Sequence, residues 1–378
     1  MKTALVLSGG GARGAYQVGV LKAIAELQSS NISPFQIVCG TSSGAINASK
    51  IASESDQFQQ AVKGLEQIWS NLSSDQIHQV GYRDIFKSML KIISSFFHSG
   101  IASGQSLSLF NNQPLSTLLK RTIELQRLEK MIAQRHLHAL SISALGYTSG
   151  QNISFFQGHE SLHFWRRSRR IGAKTIINHN HLMASSALPA LFPAVKINRE
   201  YFGDGALRQS APMSAALHLG ADKLLVIGVS GNAESLNDRL ATTHSPSIAQ
   251  VLGNLLNSAF IDSLEEDMEM LQRFNSLAKF LNPQQQVELQ ARPIGLLVIK
   301  PKVKFEQLAA DFAHELPHSM RLLLSIIGAN RRGGGSSLAS YILFERNFCR
   351  ALIDSGYRDA MAQADEIIAF LRSASASQ

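Results

Sequence analysis

The chain is poor in cysteine. Of its 378 residues only Cys39 and Cys349 carry a thiol, and they stand too far apart for a metal-ligand or redox spacing. A disulfide framework is therefore not expected, and the reducing cytoplasm is the expected compartment. A membrane span is lacking too. The longest stretch of the first third without Asp, Glu, Lys or Arg, Ile92 to Leu119, is interrupted by Ser, Asn, Gln, Gly and Pro. The apolar run within Met1 to Gly9 is too short for the hydrophobic region of a secretory signal and leads straight into glycines. Peripheral membrane contact and export without a cleaved signal both stay open. Charged residues are scarce at 17%, against 45% hydrophobic, which argues against a disordered chain. The charge present leans positive, +8 with histidine counted as neutral. Such a bias attracts an anionic lipid surface or nucleic acid alike. No nucleic-acid-binding fold signal accompanies it, so no nucleic-acid partner is expected.

The chain is long enough for one sizeable core, or for one core plus a second compact region. Thr3 to Leu7 reads as a buried strand ending in glycines. From Gly14 to Leu27 apolar residues return at helical spacing, at Ala15, Val18, Leu21, Ile24 and Ala25. Phe35 to Cys39 reads as a second buried strand, and Gly44 to Ala52 as a helix of small residues. This alternation predicts a parallel sheet with helices on its faces. Further strands are expected at Leu140 to Leu145, Ile153 to Gln157, Ala194 to Ile197, Lys223 to Val229 and Gly295 to Lys300. Residues 56–134 read as a mostly helical insertion or cap. Residues 236–378 read as a mostly helical C-terminal region that ends in a pair of helices divided near Gly356.

Two motifs carry chemistry. Gly40-Thr41-Ser42-Ser43-Gly44 fits G-x-S-x-G between a predicted strand and a predicted helix. A nucleophilic serine on so sharp a turn needs small neighbours to relieve crowding and expose its Oγ, and the following helix N-terminus favours a developing alkoxide. Ahead of it lies Ser8-Gly9-Gly10-Gly11-Ala12-Arg13-Gly14. Gly9, Gly11 and Gly14 fit a dinucleotide fingerprint, but the second strand ends without the acid that would hold a ribose. A phosphate-binding P-loop would need Gly-Lys-Ser/Thr, also missing. The better reading is an oxyanion hole, in which successive glycines let main-chain N–H groups converge with no β-carbon in the way. Arg13 either anchors that loop or leans toward an anionic headgroup.

A nucleophilic serine also needs a base. Phe202-Gly203-Asp204-Gly205-Ala206 sets an acid between glycines, shortly after Ala184-Ser185-Ser186-Ala187-Leu188-Pro189-Ala190-Leu191-Phe192-Pro193. Gly-Gly-Gly-Ala-Arg-Gly, Gly-Thr-Ser-Ser-Gly, Ala-Ser-Ser-Ala-x-Pro-x-x-Phe-Pro and Asp-Gly-Ala, in that order over roughly residues 3–230, together resemble the patatin-like phospholipase family. The resemblance implies a three-layer α/β/α fold with a mostly parallel sheet, its catalytic domain spanning residues 1–235. It implies a Ser–Asp dyad, with Ser42 as nucleophile and Asp204 as base. Gly9, Gly10, Gly11 and Ala12 would offer oxyanion amides, and Arg13, Gly14, Gly40, Gly44 and Gly205 would support the motifs. It further implies hydrolysis of acyl esters of phospholipids or other lipids, with no cofactor and no metal. Substrate does not follow from the motifs.

The rival readings are a Ser-His-Asp esterase, with His218, His244, His314 and His318 as candidates after Asp204, and a non-catalytic lipid-binding protein. A serine on the second strand comes too early for the α/β-hydrolase pattern. Two segments bear on membranes. Asp84 to His98 is strongly amphipathic, with Ile85, Phe86, Met89, Leu90, Ile93, Phe96 and Phe97 at three- and four-residue spacing, and reads as a cap or interfacial helix. His163 to Arg170 mixes aromatics with four arginines and reads as a headgroup site or a solvated basic loop.

Overall fold

Short apolar runs bounded by glycine and polar residues become the centre of one sheet. The computed structural model describes residues 1–79, 81, 90, 108–230, 245–289, 291–329 and 336–375. Its strands are β1 (Thr3–Leu7), β2 (Ile37–Thr41), β3 (Ala139–Gly146), β4 (Asn152–Gly158), β5 (Trp165–Arg167), β6 (Arg170–Lys174), β7 (Val195–Ile197), β8 (Glu200–Asp204), β9 (Lys223–Ile227) and β10 (Gly295–Ile299). They lie in the order β10-β9-β1-β2-β3-β4-β6-β5, with β8 on β3 and β7 on β8. The first five in that order run parallel; β4 turns antiparallel to β3. Every residue of β1, β2, β3 and β9 is buried, as expected of parallel strands covered on both faces.

The two faces pack separate cores. Leu5 and Leu7 of β1 join a cluster with helix α1 (Gly14–Leu27), helix α2 (Ser43–Ser53) and helix α3 (Phe58–Ser70). Ala4 and Val6 point the other way, onto Met213, Ala216, Leu264 and Met268. This is a three-layer α/β/α arrangement. The C-terminal region is helical but also lends β10 to the sheet.

Two expectations are corrected. Gly356 does not divide two helices. It lies inside the helix Arg346–Met361, flanked by the helices Ser336–Ile342 and Ala364–Ser375. The glycine serves a helix crossing. A β-carbon there would strike the Tyr16 carbonyl of α1, and one on Gly19 of α1 would strike the Ile353 carbonyl. The basic segment 163–170 is no loop, because β5 and β6 form an antiparallel hairpin across it and Trp165 stacks on Phe156 at 5.0 Å. Glu200–Asp204, which has no apolar pattern, is a strand because β7 and β3 pair with it. Within the insertion, helices occupy Phe58–Ser70, Ser74–Ile77, Gln113–Thr122 and Arg127–Ala133. The amphipathic segment Asp84 to His98 lies, but for Leu90, outside the described residues. Among the described residues no helix is long and apolar enough to cross a membrane. Both cysteines are buried and free.

Candidate active site

The serine turn forms where β2 runs out. Thr41 is the last strand residue, Ser42 adopts φ 55° and ψ −126°, and α2 starts at Ser43. A left-handed φ on a residue with a side chain costs on the order of 1–3 kcal/mol, so the surroundings must hold it. The Ser42 amide donates to Ser185 Oγ at 2.8 Å, and that hydroxyl donates to the Ser143 carbonyl of β3 at 2.7 Å. The Ser42 carbonyl accepts the Ala45 amide at 2.9 Å, which starts the helix. The approach is close enough that a β-carbon on Gly44 would collide with the Leu7 and Ser8 carbonyls, and one on Gly40 with the Gly44 carbonyl.

The aspartate arrives from the opposite direction. Ser143 of β3 pairs with Thr41 of β2, and the next residue, Ala144, pairs with Asp204 of β8. On its other side the same stretch of β3 pairs with β4, through Ser154 and Ile153. So β2 and β8 share one edge of β3 and run head to head. Their C-terminal ends, and with them Ser42 and Asp204, converge on two adjacent residues of β3. The Asp204 amide donates to the Ala187 carbonyl at 2.9 Å. The segment 185–187 therefore binds both members of the pair, Ser42 through Ser185 and Asp204 through Ala187. Thr41 Oγ1 donates to Gln209 Oε1 at 2.9 Å, and Gln209 Nε2 donates to Ser143 Oγ at 3.0 Å, which closes the same polar lattice. Gly205 follows Asp204 against the Ser143 carbonyl, and its own carbonyl accepts Asn152 Nδ2 at 2.6 Å.

Asp204 is fully buried. That burial lifts its pKa from 3.8 to about 7, against the Ser42 hydroxyl and the Ala206 amide, which both favour the carboxylate. Oδ1 accepts the Ala206 amide at 3.0 Å, while Oδ2 closes no hydrogen bond of ordinary geometry. The carboxyl thus keeps one oxygen free beside a serine hydroxyl. Its acidity suits proton exchange near neutral pH.

The glycine loop borders the serine. A β-carbon on Gly9 would lie 3.0 Å from Ser42 Cβ, and one on Gly14, where α1 begins, 2.8 Å from Ser43 Cβ. Gly11 has φ +56°, and its turn is closed by the Arg13 amide on the Gly10 carbonyl at 3.1 Å. Among the described residues no acceptor meets the amides of Gly9, Gly10 or Gly11. The Ser8 carbonyl is drawn back by Gln17 Nε2 at 2.8 Å, in a chain that runs through Asn47 to Trp69 Nε1. Ala12 and Arg13 are buried; Arg13 is 0% exposed and its guanidinium sits among residues of the C-terminal region.

Ser42 and Gly11 open onto a narrow apolar cavity walled by Trp69, Leu115, Leu119, Leu188, Phe192 and Phe344. Trp69, Leu115 and Leu119 come from the insertion, Leu188 and Phe192 from the 184–193 stretch, and Phe344 from near the C-terminus. Three of the four alternative histidines are engaged elsewhere. His218 stacks on Trp165 at 5.0 Å, His314 Nδ1 meets the Asp311 carbonyl at 2.8 Å, and the His318 ring faces Arg321. His244 lies outside the described residues. Among the described residues no cluster of His, Cys, Asp and Glu has a metal-binding arrangement. Sequence reading missed the roles of Ser185, Ser143 and Gln209. The two serines ahead of Pro189 were the one visible sign, since small hydroxyl residues bind backbone locally.

The sequence profile of the patatin-like phospholipase family matches residues 5–217. No curated protein is similar enough to the chain to match it. Among solved structures the chain is similar to VipD from Legionella pneumophila, at 16% identity and a TM-score of 0.41, over 97% of this chain and 67% of that one. It is also similar to the full-length SpcU–ExoU complex from the type III secretion system of Pseudomonas aeruginosa, at 16% identity and a TM-score of 0.26, over 96% and 77%. With more than half of its length matched, and both of its chemical motifs inside the matched segment, the chain belongs to the patatin-like phospholipase family, whose members are lipid acyl hydrolases.

Proposed function

We propose that this protein hydrolyses acyl esters of lipids, in the manner of a phospholipase A or lysophospholipase, through a Ser42–Asp204 dyad. The observation that carries this reading is the pairing of Thr41 and Asp204 with consecutive residues of β3, which leaves Ser42 and a buried carboxyl side by side. Ser42 Oγ attacks the ester carbonyl while its proton passes to Asp204. The carbonyl oxygen takes up the negative charge and is held by the amides of the glycine loop, Gly9 to Ala12. Collapse breaks the ester C–O bond, and the proton on Asp204 leaves with the departing alcohol. Water then attacks the acyl-enzyme, gives its proton to Asp204, and the fatty acid departs as Ser42 regains its hydrogen. The apolar cavity suits an acyl chain, because the surface its walls expose is almost wholly apolar. The net charge of +8 suits peripheral contact with an anionic membrane surface.

The test is fatty-acid release from phospholipid vesicles and from a soluble fluorogenic ester, by the wild-type protein and by Ser42→Ala. Release by the wild type alone is expected. Equal release by both, or by neither, overturns the proposal.

A further inference from the structure

The glycine loop is gripped from outside by residues beyond the segment that the family profile matches. Gly9 packs against the Phe260 ring, and Gly11 against the Tyr341 carbonyl. The two aromatic rings stack on each other with centroids 5.4 Å apart, and Tyr341 Oη donates to Asn257 Oδ1 at 2.8 Å. The Phe260 ring and the Tyr341 main chain therefore back two of the three consecutive glycines of the loop. Arg13, which ends the same turn, is tied to the same place. Its guanidinium lies 3.9 Å from the centroid of the Tyr341 ring. Its Nε and Nη2 donate to Ser340 Oγ at 2.9 and 2.7 Å, and Nη2 donates to Glu306 Oε1 at 2.7 Å. Ser340 Oγ donates onward to the Ser337 carbonyl at 2.6 Å.

A fully buried guanidinium is tolerable only where its charge is balanced and its N–H groups are engaged. Glu306 supplies the balancing charge and Ser340 the second acceptor. Arg13 is thus spent on holding the turn and does not reach toward a headgroup. An oxyanion hole works only if its amides are already aimed when charge develops, because reorganisation at that moment cancels the benefit. We propose that Glu306 and Tyr341 are positioning residues of the oxyanion loop, acting through Arg13 and Gly11. The C-terminal region would then be a working component of the active site and not merely a neighbour.

This inference rests on the hydrolase reading above, and the experiment separates the two. Glu306→Gln is the mild variant, since the Glu306 side chain is 31% exposed and the amide keeps its shape. On a soluble ester it should lower kcat about tenfold with KM changed less than about twofold, because the loss falls on transition-state charge. Arg13→Ala should cost about 100-fold, Arg13→Lys should recover some of that, and Arg13→Ala with Glu306→Gln together should be no slower than Arg13→Ala alone. Independently of turnover, amide hydrogen exchange in the wild type and Glu306→Gln should differ in the peptide spanning Gly9 to Gly19 and agree in β3. Unchanged kcat and unchanged exchange in Glu306→Gln overturn the clamp, as does faster exchange throughout the protein or an additive double variant. A wild type without esterase activity sinks the hydrolase reading, and the exchange comparison still decides whether the clamp exists.

Discussion

Residues 5–217 and residues 245–375 meet at the glycine loop from opposite sides. The first segment brings every group proposed to take part in the reaction: the side chains of Ser42 and Asp204 and the main-chain amides of the loop. The second brings Phe260, Glu306, Tyr341 and Phe344, none of which has a reactive role, yet three of them press on or tether the loop and the fourth walls the cavity. The difference shows why one half carries a family signature and the other does not. Bond chemistry demands particular atoms at particular spacings, whereas support and enclosure can be achieved by many side chains of suitable bulk.

The comparison can be broken first at Asp204. Asp204→Asn should cut kcat by roughly 10⁴-fold or more with the fold retained, as removal of a base from such a unit typically does. Circular dichroism and the rate on a soluble ester check it, and a modest loss would move the chemistry elsewhere. The same variant gives a pH signature. Burial raises Asp204 from 3.8 to about 7, so ionisation costs more in the folded protein than in the unfolded one. The stability that comes from keeping it neutral is whole below the unfolded value and is lost as the pH climbs toward the folded one. Asp204→Asn should therefore melt with the wild type near the unfolded value and outlast it above the folded one, while wild-type kcat rises through about pH 7. A melting difference that shrinks with rising pH would contradict the cause assigned to the shift.

A smaller effect is expected at Ser185, which does no chemistry but holds the strained Ser42 amide. Ser185→Ala should lower kcat by about 10- to 100-fold, the usual consequence of a slightly misplaced nucleophile. An unchanged rate would show that the turn needs no such brace. Smaller still is a change of selectivity from the C-terminal half. Phe344→Trp narrows the cavity and should reduce the rate on long-chain p-nitrophenyl esters by several-fold relative to short-chain ones. Parallel losses on both would remove the cavity from the acyl path. At the bottom of the scale, exhaustive treatment with EDTA should leave the rate where it was, and a loss restored by one divalent cation would revise the mechanism.

Much of the front of the molecule was legible. The run Thr3–Leu7, the helix Gly14–Leu27 and the strand–serine–helix turn follow from apolar patterning and glycine placement, and the structure has them within two residues. The proposed base was not legible from pattern. Asp204 ends the strand Glu200-Tyr201-Phe202-Gly203-Asp204, which has no alternation and exists through pairing with β3 and β7; only the resemblance to a family pointed to it. Gly356 was misread because a glycine in a helical stretch looks like a break until the helix that crosses it is known. The grip on Arg13 had no sequence sign, since Glu306 and Ser340 stand about 300 residues away from it.

β3 contributes no group to the proposed reaction, and its central residues are the unremarkable Ser143 and Ala144. Even so, it sets the gauge of the machinery. Because the nucleophile's strand and the base's strand dock on successive positions of one ribbon, the gap between hydroxyl and carboxyl is measured in peptide units of about 3.4 Å and not in the softer terms of side-chain fit. One residue inserted between those two adjacent docking points would turn the aspartate to the opposite face of the sheet, so the register of β3 at Ser143 and Ala144 is constrained by more than the packing of its buried side chains.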